Sequence, residues 1–197
     1  MTHKKNVKRL YSMFDAKWYN TFRKIWGSIA SSKAEEVLFS KINLPPNKTI
    51  LELGCGTGIN VKKLQSINFD KYVGLDFTKD MLTIARKQKI EKTSFIEKDL
   101  TEKPAEGKYD LIFSTWVLSH ISEPSKVINN YYHNLNKKGR MFLLFLTKPK
   151  WYINFWFYPL IRMFASNYVS EKEIAKMKNI KKRTKYLGGM TTLIEIG

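Results

Sequence analysis

The residues Glu52-Leu53-Gly54-Cys55-Gly56-Thr57-Gly58 stand where a short apolar run, Thr49 to Leu53, gives way to a helical segment. Three glycines at alternate positions let the backbone bend sharply and approach a ligand more closely than side chains allow. A helix starting near Gly58 offers unpaired N–H groups and a partial positive charge to an anion. In dinucleotide enzymes such a turn holds a pyrophosphate. Here the glycine spacing is shorter than in that G-x-G-x-x-G fingerprint, and the same donors can instead face a carboxylate. Asp76 ends a second apolar run, Tyr72 to Leu75, and has two readings: acceptor for both hydroxyls of a ribose, or cap of the helix that follows. Asp99, after a third run, is placed to receive an adenine amino group, and Phe77 and Met81 supply apolar walls for a base. Glu52 reads as a carboxylate that orders the loop or a water, with no acid–base role. Cys55, with no evident base beside it, reads as a small loop residue.

These residues need a scaffold, and the chain spells one out. Strands are expected at Thr49–Leu53, Tyr72–Leu75, Ser94–Ile96, Leu111–Phe113 and Met141–Leu146. Helices are expected at Ser32–Lys41, residues 59–66, Thr78 (as N-cap) through Lys89, and Pro124–Leu135. Apolar strands alternating with helices of about ten residues make a doubly wound α/β fold whose mostly parallel sheet is buried on both faces. Lys181–Leu187 and Met190–Ile196 flank Gly188-Gly189, a dipeptide suited to a tight hairpin turn because both residues can take positive φ. That antiparallel hairpin closes the sheet as its sixth and seventh strands. Ahead of the core, residues 7–29 read as an amphipathic helix, with Tyr11, Trp18, Phe22 and Trp26 on its apolar stripe. Residues 1–44 are accordingly expected to form a helical cap, and residues 45–197 the core, with an aromatic insertion at 148–170.

In this order the motifs resemble those of the class I S-adenosylmethionine-dependent methyltransferases. Leu51 to Gly58 matches their first motif nearly letter for letter. Gly74-Leu75-Asp76 is similar to the second, Asp99-Leu100 to the third and Tyr109 to Ser114 to the fourth. Leu135 to Arg140 resembles the turn before their fifth strand, and the Gly-Gly hairpin their last two strands. The resemblance covers residues 49–146, about half the chain, and implies a Rossmann-like seven-stranded sheet with S-adenosylmethionine as cofactor. It also implies that Glu52, Gly54, Cys55, Gly56 and Gly58 surround the methionine end, that Asp76 binds the ribose, and that Asp99 with Leu100 meets the adenine. The segment from Thr115 and Trp116 to His120 is implied to carry cofactor-backbone contacts and a substrate-side histidine. His120 then reads as a general base or as a packing histidine. Tyr11 and Tyr19 read as lids over the pocket or as core residues of their helix. The expected site includes no metal.

For the methyl acceptor the signals are compositional. Lys and Arg total 35 against 17 acidic residues, a formal charge of +18, which stabilises no fold and points to an anionic partner. A single cysteine excludes an internal disulfide framework. With no clean signal-peptide pattern and no run of ~20 apolar residues, the expected location is cytoplasmic, peripheral at the membrane. Lys148 to Phe164 packs seven aromatic rings among basic residues. Such rings suit a lipid headgroup boundary and equally suit the core of a soluble pocket. The chain is similar in layout to phospholipid N-methyltransferases and quinone-biosynthesis methyltransferases. A lipid acceptor, either a head-group amine or an isoprenoid-type lipid, is therefore expected at an anionic membrane surface. A soluble small-molecule acceptor is the first alternative. Nucleic-acid binding, with or without RNA methylation, is the second, disfavoured because the aromatics cluster in a run too apolar for a solvent-exposed groove.

Overall fold

The computed structural model describes residue 21 and residues 32–42, 48–64, 67–163 and 166–197. The amphipathic helix expected at 7–29 lies outside these apart from Thr21, which is helical, and so do Tyr11 and Tyr19.

Seven strands form one sheet: β1 (Thr49–Leu53), β2 (Lys71–Asp76), β3 (Thr93–Glu97), β4 (Tyr109–Thr115), β5 (Leu135–Leu146), β6 (Ile180–Tyr186) and β7 (Thr191–Ile196). Their spatial order is β3-β2-β1-β4-β5-β7-β6. The first five run parallel, and β7 is antiparallel to both β5 and β6. Alternation along each strand sends successive side chains to opposite faces. Leu51 and Leu53 join Val73, Leu75, Ile112 and Leu143 in one buried cluster, while Ile50 joins Tyr72, Leu111, Phe113 and Leu144 in another. A sheet covered on both sides must be apolar on both, which is why these strands read as nearly continuous hydrophobic runs. Each such side chain contributes roughly 1.5–3 kcal/mol on full burial.

The helices are α1 (Ser32–Lys41), α2 (Val61–Leu64), α3 (Lys79–Lys87), α4 (Pro124–Tyr132), α5 (Trp151–Met163) and α6 (Glu171–Ala175). The four-residue spacing of Ala34 and Leu38 in α1 and of Ile42 just after it places all three in the core. Thr78 does occupy the N-cap position of α3 in extended conformation, yet its side chain makes no cap bond. The carboxylate of Asp76 takes its N–H instead, at 2.9 Å.

Three expected boundaries change. The helix expected to reach Leu135 stops at Tyr132, and β5 begins at Leu135 rather than Met141. The Asn134 side chain donates to the carbonyls of Ala105 and Gly107 at 2.7 and 2.8 Å, and Asn136 to Asp110 at 2.7 Å, so polar side chains extend the strand pairing through a stretch that reads as a turn. Before β2, the helix expected over 59–66 starts only at Val61, and its described part is the single turn α2, with residues 65–66 outside the described residues. At the hairpin, Gly188 and Gly189 do take positive φ, of 56° and 93°, but Leu187 does so as well, at 47°. Instead of a two-residue turn, β6 and β7 are joined by a short 3-10 turn, Leu187–Gly189, followed by Met190. The Gly188 carbonyl accepts the Lys150 N–H at 3.2 Å, and a side chain at Gly188 would collide with Ile153. The wider turn is shaped by docking against the start of α5.

Candidate active site

The strand order reverses at β1, which lies between β2 and β4. Loops leaving the carboxyl ends of neighbouring strands diverge at such a point and open a crevice. The chain leaving β1 is the glycine turn, that leaving β2 is Asp76-Phe77-Thr78, and that leaving β4 is a 3-10 turn, Val117–His120. Together they line a cleft of about 470 Å³, whose walls include Gly54, Gly56, Asp76, Phe77, Met81, Thr115, Trp116 and His120. A smaller recess of about 270 Å³, lined by Cys55, Thr57 and Asn60, shares Gly54, Thr115 and Trp116 with it.

The turn is held from below. Both Gly54 and Cys55 donate their N–H to the Leu75 carbonyl, at 2.8 and 2.9 Å, tying the turn to the end of β2. Gly54, Gly56 and Gly58 all have positive φ, of 77°, 53° and 73°. At Gly54 a Cβ would lie only 2.5 Å from Val117 Cβ, so glycine is required by contact as well as by conformation.

Asp76 accepts hydrogen bonds from the Gly56 N–H on one oxygen and the Thr78 N–H on the other, both at 2.9 Å. It is 8 % exposed. Burial raises its pKa from the ordinary carboxylate value, and the N–H donors of Thr78 and Gly56 pull the other way. Burial also pushes the Cys55 thiol well above its usual range, with the carboxylates of Glu52 and Asp76 adding to the effect. A thiol so held is a poor nucleophile.

Glu52 is fully buried on β1. Its carboxylate accepts from Asn60 Nδ2 at 2.6 Å and from the Tyr72 hydroxyl. Asn60 Nδ2 also donates to Thr115 Oγ1 at 2.9 Å, so β1, β2, β4 and the glycine turn share one polar knot. Neither Asn60 nor Tyr72 stands out in the sequence. The available signal is Glu52 itself, because a carboxylate inside a doubly buried strand demands donors nearby.

On the far wall, Trp116 sits at φ 70° and donates its N–H to the Leu144 carbonyl at 2.7 Å. Its indole N–H donates to Glu35 of α1 at 3.0 Å, and Lys63 of α2 pairs with the same carboxylate at 2.8 Å. His120 Nε2 lies 3.3 Å from Ser166 Oγ, on the segment that leaves α5. That segment is laced to the 3-10 turn by the Asn167 N–H, which donates to the Ser119 carbonyl at 2.8 Å. Val117, inside the segment expected to contact the cofactor, also lines the cleft, and so does Thr78, which the sequence marks only as a helix cap.

Asp99 and Leu100 are not among the residues lining the cleft. The Asp99 carboxylate accepts from the backbone and hydroxyl of Thr101, at 2.9 and 2.7 Å, and Leu100 packs into the core.

A methyltransferase-domain family matches residues 27–178. The chain belongs to that family. Malonyl-[acyl-carrier protein] O-methyltransferase of Bacillus anthracis is 32% identical over 100 residues, covering 50% of this chain and 36% of the relative. Mitochondrial ubiquinone biosynthesis O-methyltransferase of Saccharomyces cerevisiae is 28% identical over 116 residues, covering 55% and 37%. The chain thus spans little more than a third of these curated relatives. Among solved structures, N-methyltransferase NodS of Bradyrhizobium japonicum, in complex with S-adenosyl-L-homocysteine, aligns with a TM-score of 0.70 at 14% identity, covering 100% of this chain and 98% of NodS. A putative methyltransferase solved with the Haloferax volcanii Trm112 activator aligns at 0.74 and 12% identity, over 96% of each chain. The fold is that of the class I S-adenosylmethionine-dependent methyltransferases, in agreement with the methyltransferase family.

Proposed function

We propose that this methyltransferase holds S-adenosylmethionine in the cleft at the ends of β1, β2 and β4 and methylates a lipid-type acceptor presented by a membrane surface. Glu52, Gly54, Cys55, Gly56 and Gly58 surround the amino-acid end. Asp76 accepts from the ribose hydroxyls, Phe77 and Met81 flank the base, and Thr115 and Trp116 close the opposite wall. When bound, the cofactor supplies an electrophilic methyl group, so the protein's task is alignment. An amine acceptor needs little help with its proton, whereas a phenol acceptor is served by His120 as base.

The observation that carries the acceptor class is the surface of α5. Its inner side packs Ile161 with Leu146 and Met190, and Ile153 and Phe157 against them. Its outer side leaves Trp151, Phe155 and Trp156 exposed to 82%, 72% and 77%. A soluble protein gains nothing by presenting such rings to water, and they match the boundary between headgroup and acyl chain. Lys148, Lys150 and Arg162, also exposed, flank the rings and suit anionic lipid. Among the described residues no helix is long and apolar enough to cross a membrane, so the proposed contact lies in the interface plane.

Within this class, the name of the ubiquinone-biosynthesis relative and the position of His120 in the cleft favour an isoprenoid-type phenol over a phospholipid amine. The test is mass spectrometry of lipid extracts incubated with enzyme and methyl-labelled S-adenosylmethionine. A labelled lipid is expected, and its loss with His120→Ala would select the phenol. Label found only on a water-soluble or carrier-bound acceptor would overturn the lipid reading.

A further inference from the structure

The buried knot beneath the glycine turn leaves one atom unexplained. Asn60 is 2 % exposed and stands directly before the first residue of α2. Asparagine at a helix start normally turns its side-chain oxygen onto the N–H groups of the first turn. Here the Lys63 N–H donates to the backbone carbonyl of Asn60, at 2.9 Å, and the side chain points inward. Its amide nitrogen donates to Glu52 Oε1 at 2.6 Å and to Thr115 Oγ1 at 2.9 Å. Those two contacts fix which end of the amide is which. A flipped side chain would set its oxygen against a carboxylate, so Oδ1 faces away from both partners.

Oδ1 is fully buried and finds no donor among the described residues. Asn60 lines the small recess that shares Gly54, Thr115 and Trp116 with the main cleft. An orphan acceptor next to a cavity calls for a donor from outside the chain. The surroundings also select the donor's charge: two carboxylates, Glu52 and Asp76, flank the turn, and both contribute to the upward displacement of the Cys55 thiol. A cation with N–H donors answers both needs.

From this we infer that Asn60 Oδ1 is a binding residue for the ammonium group of the cofactor's amino-acid end, with Glu52 and Thr115 holding the amide in the accepting orientation. The inference rests on the reading of this cleft as the S-adenosylmethionine site and adds to it a residue outside the glycine turn. It gives Glu52 a physical task, which is to orient the group that meets the ligand.

The experiment is a ligand-and-residue cycle read by calorimetry, without turnover. S-adenosylhomocysteine, its analogue lacking the amino group, and methylthioadenosine, which lacks the whole amino-acid end, are titrated into the unaltered protein and into Asn60→Ala. In the unaltered protein, removal of the amino group should weaken binding about tenfold to a hundredfold, the range for a hydrogen bond to a charged partner. In Asn60→Ala the same removal should cost little, while methylthioadenosine binds both proteins alike. Equal losses in the two proteins, or no loss in the unaltered one, would refute the contact and leave a buried water as the partner of Oδ1. If Asn60→Ala does not fold, a crystal structure of the unaltered protein with S-adenosylhomocysteine decides. The ligand nitrogen must lie within hydrogen-bond distance of Oδ1, and a water there instead overturns the inference. Failure of all three ligands to bind would strike the cofactor-site reading itself.

Discussion

At the scale of single residues, the glycine turn shows which positions tolerate change. Gly54 is constrained twice, by a φ of 77° and by Val117, whose three side-chain carbons would lie 2.5, 2.6 and 2.9 Å from an added Cβ. Strain in the left-handed region and overpacking against a β-branched neighbour each cost on the order of 1–3 kcal/mol. Gly54→Ala is therefore expected to lose about 2–4 kcal/mol of stability in urea denaturation. Adding Val117→Ala should recover only part of that loss, because the Cβ contact and the strained φ remain. Full recovery would mean that the clash alone matters, and no loss would mean that the turn relaxes freely. The glycines and Asp76 were legible from the sequence because their types are nearly forced: few other residues turn the chain there or end a strand with a carboxylate. Asn60, Tyr72 and Glu35 were not, since their contacts join residues far apart in the chain, and only the folded sheet makes them neighbours.

Among the elements, the parallel core follows from hydrophobic runs and was readable to within a few residues, whereas the strand and turn boundaries set by side-chain hydrogen bonds were not. The long β5 and the wide hairpin illustrate the point: Asn134, Asn136 and the docking of Gly188 on α5 decide them. The far edge of the sheet is tied down in a comparable way. Glu171 at the start of α6 accepts from Arg183 at 2.6 and 2.7 Å and from Lys185 at 3.0 Å, both on β6. Hydrogen bonds from Arg183, then from Lys185, hold the Glu171 carboxyl down at about 2. A depressed carboxylate contributes stability above its ordinary titration range and loses it as pH falls toward the depressed value. The Glu171 side chain is 64% exposed, so the contribution is small, below ~1 kcal/mol. Carbon-detected NMR titration should find Glu171 still ionised at pH 3, and Arg183→Gln should return its midpoint toward the usual ~4.3. A normal midpoint in the unaltered protein would show that α6 and β6 are not joined through this cluster in solution.

For the molecule as a whole, the proposed membrane contact has two separate sources, a net charge of +18 and an exposed aromatic helix, and salt distinguishes them. Attraction to anionic lipid acts over a Debye length, about 10 Å at 0.1 M salt and about 3 Å at 1 M, so it fades as salt is added. Insertion of Trp151, Phe155 and Trp156 depends on apolar burial and persists. In co-sedimentation with vesicles of mixed anionic and zwitterionic lipid, the unaltered protein should bind strongly at low salt and keep a residual fraction at high salt. Trp151→Ala with Trp156→Ala should keep the low-salt binding and lose that residual fraction. Neither substitution touches the cleft, so affinity for S-adenosylhomocysteine in the absence of lipid should be unchanged. If the double variant matches the unaltered protein at every salt concentration, α5 does not meet the bilayer and its exposed rings await some other partner. If binding is abolished at low salt as well, charge alone is too weak to hold the protein at the surface, and the aromatic helix is the principal anchor.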